Sequence, residues 1–175
     1  MKNIIRKISW SIKGKSLSTQ KIDVAREKRY PDLQNMKSCL IIWACNPEEV
    51  KWVKKIEDIF SPHILDKICV VGNENDRESK WQDIVYVNNE HVDMRGQIND
   101  EKLNYFLGRD YDLLLDLNRV PDILSDYLVR NSQANCKMSA LKDTADIDIM
   151  IDDTEDELDF IEKAKSVLEK FKGYE

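Results

Sequence analysis

The sequence predicts an α/β fold, a single three-layer Rossmann-like domain with a mostly parallel sheet, preceded by a basic N-terminal helical arm. Residues 111–117 contain four leucines and almost no polar face, which is typical of a central strand covered by helices on both sides. Strand-like runs alternate with helical stretches of about 10 to 18 residues, as βαβ crossovers require. A chain of 175 residues with 42% hydrophobic content suits one domain with its own core.

Local signals predict the elements in chain order. The first strand is the apolar run 39–45. A helix follows, because Asn46 is a good cap, Pro47 suits the first helical position and Glu49 completes the capping pattern. It is predicted to end near Phe60. The other strands are predicted at 67–71, 84–87, 111–117, 136–139 and 147–151, and the other helices at 99–107, from Pro121 to Ser132, and from Thr154, which opens a capping box, to Lys172.

Charge is distributed unevenly along the chain. Residues 1–30 carry nine lysines and arginines against two acidic residues, whereas the remainder has a net charge of −13, and together they give the formal net charge of −6. We therefore predict a basic arm at 1–36 and an acidic α/β domain at 37–175.

The arm is predicted to be an amphipathic helix, because its isoleucines share one face and basic residues lie opposite. The isoleucines are Ile4, Ile5, Ile8 and Ile12, and the cations expected to make contacts are Lys2, Arg6, Lys7, Lys13 and Lys15. Three uses are open: the arm folds back on the acidic body, inserts at an anionic membrane surface, or docks on a partner protein or RNA. Nucleic acid is disfavoured, since only Trp10 and Tyr30 offer stacking rings and the body repels phosphate.

The composition predicts neither a membrane-spanning nor a secreted protein. No run approaches the roughly 18 to 20 apolar residues that span a bilayer, and the first residues lack the continuous apolar stretch of a secretory signal. We expect a cytoplasmic location, with peripheral attachment to the inner membrane face as an option for the arm. The four cysteines form no C-x-x-C pair and are not spaced with His63 and His91 as zinc ligands, so reduced, mostly buried thiols are expected.

Polar groups follow the strands at their carboxyl ends, where parallel sheets bind ligands. The candidates for ligand binding are Asn46, Asn73, Asp116, Asn118 and Arg119, with Gly72, Glu74, Asp152 and Asp153 at neighbouring strand ends. A phosphate site is disfavoured, because no glycine-rich phosphate motif occurs and the first strand leads into a proline and two glutamates. We therefore expect no cofactor.

Catalysis and metal binding are also disfavoured. Cys45 precedes a predicted helix, a position that activates thiols in some enzymes, but no neighbouring base or oxyanion donor supports a nucleophile. The acidic residues between Asp146 and Glu157 do not follow the EF-hand spacing and suit a helix N-terminus, so no metal site is expected. Asp116 stands out within an apolar strand, although it also suits hydrogen bonds to the N–H groups of the following turn.

The segments 111–139 and 148–152 resemble a family of small bacterial proteins known as domain of unknown function 6913. The shared features are Asp112-Leu-Leu-Leu-Asp-Leu117, the helix-start residue Pro121, the element Ser132-Gln-Ala134 and the strand Asp148-Ile-Met-Ile-Asp152. This chain has Lys137-Met138 where such proteins tend to have Lys-Val-Gly or Arg-Ile-Gly, so the tight glycine turn is missing. The resemblance implies the α/β fold over most of residues 36–172, and it implies no catalytic residue because the family has no assigned activity.

The same region more distantly resembles the N-terminal half of heptosyltransferase-like glycosyltransferases, which hold a sugar nucleotide between two Rossmann-like domains. This chain has room for one such domain, which implies a non-catalytic relative or a half-site that needs a partner. We expect a non-catalytic binding or adaptor module whose basic arm contacts an unknown protein partner or an anionic membrane surface. The alternative is a small-molecule binding protein or half-site transferase, with a sugar or nucleotide at the strand ends.

Overall fold

The structure, a computed structural model, describes residues 17, 26–45, 49–60, 63–72, 83–93, 95, 97–140 and 146–171. Within these residues, six strands form one sheet and four α-helices accompany it. The strands are β1 (Ser38–Ala44), β2 (Ile64–Val70), β3 (Ile84–Val87), β4 (Leu113–Asp116), β5 (Cys136–Ser139) and β6 (Ile149–Met150). The helices are α1 (Glu49–Phe60), α2 (Glu101–Gly108), α3 (Ile123–Asn131) and α4 (Glu157–Leu168), and a 3₁₀ turn spans Asn89–His91.

The sheet has the strand order β3-β2-β1-β4-β5-β6, and every neighbouring pair is parallel. The chain thus moves outward from β1 in one direction, returns to the centre, and moves outward from β4 in the other. This reversal sets β1 beside β4, where Ile42 pairs with Asp116. The predicted α/β, Rossmann-like fold class is confirmed, and the β1–β4 reversal is where such sheets bind ligands.

Helices pack on both faces of the sheet, which gives three layers. On one face, α1 and α4 cover inward side chains that include Ile41 and Leu115. On the other face, α2 and α3 cover side chains that include Leu40, Ile42 and Leu114. Because successive strand residues point to opposite faces, burial on both faces requires a continuous apolar run. Each such leucine or isoleucine contributes roughly 1.5 to 3 kcal/mol to folding.

Aspartate caps set the helix starts, and they correct two predicted boundaries. Asp122 accepts the N–H of Ser125 at 2.8 Å, so α3 begins after the predicted Pro121. The capping box predicted at Thr154 is wrong, because Asp156 caps α4 and accepts the N–H of Asp159 at 2.9 Å. The cap predicted at Asn46 lies outside the described residues.

Three strands differ in length from the predicted ones: β2, β6 and the central β4, which spans 113–116 and not 111–117. β2 begins earlier, at Ile64, whose N–H donates to the carbonyl of Lys37 at 2.8 Å. β6 is shorter than the predicted 147–151, and Asp148 at its start has its carboxylate engaged by Arg26. Within the described residues, no helix is long and apolar enough to cross a membrane.

Described parts of the segment 1–36 contact the domain. Leu17 is fully buried in the core beneath α2 and α3. Arg26 donates to the carbonyl of Asn135 at 2.8 Å and pairs with Asp148 at 2.7 Å. Lys28 also pairs with Asp148, at 2.9 Å. The cations Lys2, Arg6, Lys7, Lys13 and Lys15 lie outside the described residues.

Candidate functional site

A cleft of about 220 Å³ lies where the carboxyl ends of β1 and β4 meet. It is lined by Trp43, Ala44, Cys45, Trp52, residues 117–120 and Glu157, and we call it the switch-point cleft. It forms because the chain leaves β1 toward α1 on one face and leaves β4 toward α3 on the other. Drug-sized ligands occupy roughly 300 to 1,000 Å³, so this cleft suits a smaller molecule.

Asp116 supports the cleft without lining it. Its side chain is fully buried, and its Oδ1 atom accepts the backbone N–H of Asn118 at 3.2 Å and the Nδ2 of the same residue at 2.6 Å. Ser139 Oγ donates to the other carboxylate oxygen at 3.3 Å. Asp116 therefore fixes the turn that follows β4, as its position beside that turn suggests.

The side-chain amide of Asn118 has a defined orientation. Its Nδ2 faces the carboxylate of Asp116 and also donates to Ser125 Oγ at 2.6 Å. Because a carboxylate only accepts, the NH₂ group and not the oxygen must face it. The Oδ1 atom is buried without a hydrogen-bond partner in the described part of the chain, and Asn118 as a whole is 4% exposed. A buried oxygen left unpaired costs about 1 to 3 kcal/mol.

The indole N–H of Trp52 is a second unpaired group at the cleft. Trp52 lies on α1, is 3% exposed, and meets the ring of Trp43 edge-on with the ring centroids 5.1 Å apart. This contact restricts the ring, but Nε1 is buried with no hydrogen-bond partner among the described residues. Since a buried indole N–H usually finds an acceptor, the arrangement suits a molecule that supplies one.

Arg119 brings positive charge to the cleft. Its Nη2 atom donates to the carbonyl oxygen of Thr154, which joins the turn after β4 to the segment before α4. Its Nη1 atom is buried with no hydrogen-bond partner in the described ranges. The guanidinium is therefore held in place through one nitrogen, while another still has an N–H to donate.

The structure brings Asn118 and Arg119 into the cleft and places Asp116 in hydrogen-bond contact with Asn118. The other predicted ligand-binding residues, Asn46 and Asn73, lie outside the described residues. Sequence reasoning misses Trp52, whose spacing on α1 predicts a core residue, and Glu157, which suits a helix start. No local signal distinguishes either as a site residue.

A larger cavity of about 480 Å³ lies between the turn that contains Asp32 and the end of α4. The carboxylate of Asp32 accepts the N–H groups of Gln34 and Asn35, both at 2.8 Å, and so is used by its own turn. Among the described residues that line this cavity, none has a buried side-chain polar atom left unpaired. The smaller switch-point cleft is therefore the better candidate site.

Comparison with known proteins assigns the chain to a sequence family. No curated protein and no solved structure matches it. A family model described as a family of unknown function matches residues 8–171, which span the whole described sheet and the switch-point cleft. The chain therefore belongs to the family of unknown function DUF6913.

Proposed function

We propose that this protein is a binding domain that takes a small polar molecule in the switch-point cleft. The observation that carries the proposal is the set of buried polar atoms on lining residues that have no hydrogen-bond partner within the described part of the chain, namely Asn118 Oδ1, Trp52 Nε1 and Arg119 Nη1. Each unpaired atom lowers the stability of the free protein by about 1 to 3 kcal/mol. A ligand that pairs these atoms removes that cost and stabilises the fold.

Binding without catalysis fits the chemistry of the lining. Cys45 is the one thiol or hydroxyl side chain among the described lining residues, and neither His63 nor His91 lines the cleft. His91 is engaged with Asn88 at a 3₁₀ turn, at 2.9 Å. A nucleophilic cysteine requires a base within hydrogen-bond reach, and the described lining supplies no histidine for that role.

Two readouts test the proposal with a library of small polar metabolites. Binding should raise the thermal unfolding temperature, and it should slow alkylation of Cys45, which is partly exposed in the cleft wall. The blocking variant is Ala44→Phe, because Ala44 is an exposed lining residue and its replacement removes no side-chain hydrogen bond. The control is Ile64→Phe, which adds a ring at an exposed position at the start of β2.

The expected result is a metabolite that shifts both readouts in the natural protein and in Ile64→Phe but not in Ala44→Phe. A library that shifts neither readout, or shifts that persist in Ala44→Phe, would contradict binding in the cleft. Circular dichroism of both variants separates a blocked cleft from a misfolded domain.

A second candidate is the adaptor role predicted for the basic residues 1–30, in contact with a protein partner or an anionic membrane surface. The excess of basic over acidic residues in 1–30 favours this role, and the ion pairs of Asp148 with Arg26 and Lys28 narrow it, because these two cations are already engaged within the chain. Such a contact would then fall to Lys2, Arg6, Lys7, Lys13 and Lys15. The test replaces these five residues by glutamine. A deletion of 1–36 would also remove Leu17 and Arg26, which contact the domain. The substitutions should abolish sedimentation with anionic vesicles, or capture of the protein partner.

The likeness to the glycosyltransferases stays a prediction of the sequence, as does a cytoplasmic location. The metabolite library should therefore contain free sugars and sugar nucleotides. A sugar nucleotide that binds and slows alkylation of Cys45 would favour the half-site alternative.

A further inference from the structure

We infer that the ligand of the switch-point cleft is a small zwitterion that carries a carboxylate and an ammonium group, as a free amino acid does. The inference rests on the proposed function, because it names the chemical class of the molecule bound at the same site. It follows from the kinds of hydrogen-bonding group that the lining residues carry.

Two of the lining residues, Arg119 and Trp52, offer donors only. Arg119 has a buried N–H on Nη1 without a hydrogen-bond partner in the described ranges, and its Nη2 atom donates to the neutral carbonyl of Thr154. Trp52 adds an indole N–H that is likewise buried and unpaired among described residues. A positively charged donor together with a neutral donor is complementary to a carboxylate, whose oxygens only accept.

The other groups are acceptors. Asn118 turns its Oδ1 atom away from the network of Asp116 and Ser125, and this oxygen requires a donor. Glu157, at the first position of α4, adds a carboxylate to the lining. An amide oxygen and a carboxylate together are complementary to an ammonium group, which has three donors and no acceptor.

Neither charge alone fits the lining. A simple anion would pair with Arg119 but would be repelled by the carboxylate of Glu157. A simple cation would leave the donors of Arg119 and Trp52 unpaired and would face the guanidinium charge. A molecule with both charges and no net charge satisfies all four groups, and a cleft of about 220 Å³ has room for a small one.

Entry to these atoms requires a small opening of the cleft wall. The unpaired atoms of Asn118, Trp52 and Arg119 are closed off from bulk water. Val120, also in the lining, is 74% exposed and restricts little around it. Rotation of exposed rim side chains occurs in picoseconds to nanoseconds, and the inference requires that such rotations open a path to these atoms.

The test uses the twenty protein amino acids as probes, each beside its decarboxylated amine and its 2-hydroxy acid. Calorimetry measures affinity, and the indole N–H resonance of Trp52 in a ¹⁵N spectrum reports a new acceptor directly. Its assignment comes from Trp52→Phe. We expect at least one amino acid to bind and to shift this resonance, while its amine and hydroxy acid bind about tenfold or more weakly.

Two variants assign the charges to their residues. Arg119→Met should weaken the binding of the amino acid about tenfold. Arg119→Lys, which retains a positive charge, should bind it more tightly than Arg119→Met does. Glu157→Gln should weaken the binding of the amino acid, so that the affinity for the hydroxy acid rises relative to that for the amino acid. The Ile64→Phe variant is the folded control in each titration.

The failures are distinguishable. If a polar metabolite other than an amino-carboxylate binds the cleft and is blocked by Ala44→Phe, the zwitterion is wrong and the proposed function stands. If hydroxy acids bind as well as amino acids, Glu157 and Asn118 do not select an ammonium group and the inference is overturned. If nothing protects Cys45, the proposed function and the inference fail together.

Discussion

The ammonium nitrogen of Lys137 lies 2.6 Å from the carbonyl oxygen of Val129, in the last turn of α3. Lys137 belongs to β5 and is 1% exposed, and it also donates to the carbonyl of Arg130 at 3.4 Å. The last carbonyls of a helix have no partner within the helix, so a lysine from the neighbouring strand serves them. This contact joins the end of α3 to β5 of the sheet.

Lys137 should make the stability of the protein depend on alkaline pH. Burial, together with the nearby charge of Arg26, lowers its pKa to about 8 from 10.5. Between these values the unfolded chain binds a proton that the folded protein does not, so stability rises with pH in this window. Relative to Lys137→Met, the natural protein should gain about 2 kcal/mol of unfolding free energy between pH 7 and pH 9.5.

Urea denaturation of both proteins at the two pH values measures this gain. The comparison with Lys137→Met removes the contributions of cysteines and tyrosines, which both proteins share. Lys170→Met, at an exposed lysine just after α4, controls for the loss of one charge. A difference between the natural protein and Lys137→Met that does not change with pH would show that Lys137 keeps its proton in the fold.

The main effect of replacing Asp116 should be a loss of stability and not a direct loss of ligand contacts. Replacing it by alanine leaves the N–H groups of Asn118 and the hydroxyl of Ser139 without their acceptor in a fully buried place. We expect Asp116→Ala to lower the unfolding free energy by about 3 kcal/mol, and Ser139→Ala, which removes one donor, by about 1 kcal/mol. If Asp116→Ala keeps its stability and loses ligand binding, the carboxylate contacts the ligand itself.

Position after an apolar strand was enough to predict part of the site. Asn118 and Arg119 follow β4 directly, and polar residues at that place in a parallel sheet lie at the ligand crevice. Trp52 has the helical spacing of the core residues Val53 and Ile56, so its burial follows from the pattern. Its indole N–H has no acceptor among the residues that the structure describes. This depends on how α1 packs beside the turn after β4, which no local pattern encodes.

The same limit applies to the segment before β1. The charge asymmetry of the sequence indicated attraction between basic residues 1–30 and an acidic body. It did not single out Arg26 and Asp148, which are separated by 122 positions. Local patterns predicted the order of strands and helices well, because burial on two faces imposes periodicity, whereas pairs this distant depend on the finished topology.

Arg26 should stabilise the fold far more than its neighbour Lys28. Both pair with Asp148, but the side chain of Arg26 is 8% exposed and that of Lys28 is 56% exposed. We expect Arg26→Ala to lower the unfolding free energy by about 3 kcal/mol, because a buried carboxylate loses its main partner. Lys28→Ala should cost less than about 1 kcal/mol, as exposed ion pairs do.

Urea denaturation of the two variants at neutral pH makes this comparison. Limited proteolysis gives a second readout, since loss of the Arg26 contact should speed cleavage within residues 1–36. Equal losses of stability in the two variants would mean that net charge, and not the buried contact, holds this segment.

Cys45 should be the first of the four cysteines to react in the folded protein. Cys39, Cys69 and Cys136 are 0% exposed, whereas Cys45 is partly exposed at the cleft. Burial also raises the pKa of Cys39 well above its ordinary value and that of Cys136 to about 12, so neither forms the reactive thiolate near neutral pH. We expect a thiol reagent to modify one cysteine rapidly in the native state and all four in urea.

Mass spectrometry of the peptides identifies the modified residue, and Cys45→Ser should remove the rapid phase without altering the slow one. Rapid modification of Cys39 or Cys136 would mean that the sheet opens readily between β1, β4 and β5. Slow modification of Cys45 in the free protein would mean that the cleft wall is closed to reagents of that size. The alkylation readout would then require a smaller reagent, and a zwitterion would need a wider opening than rotation of rim side chains provides.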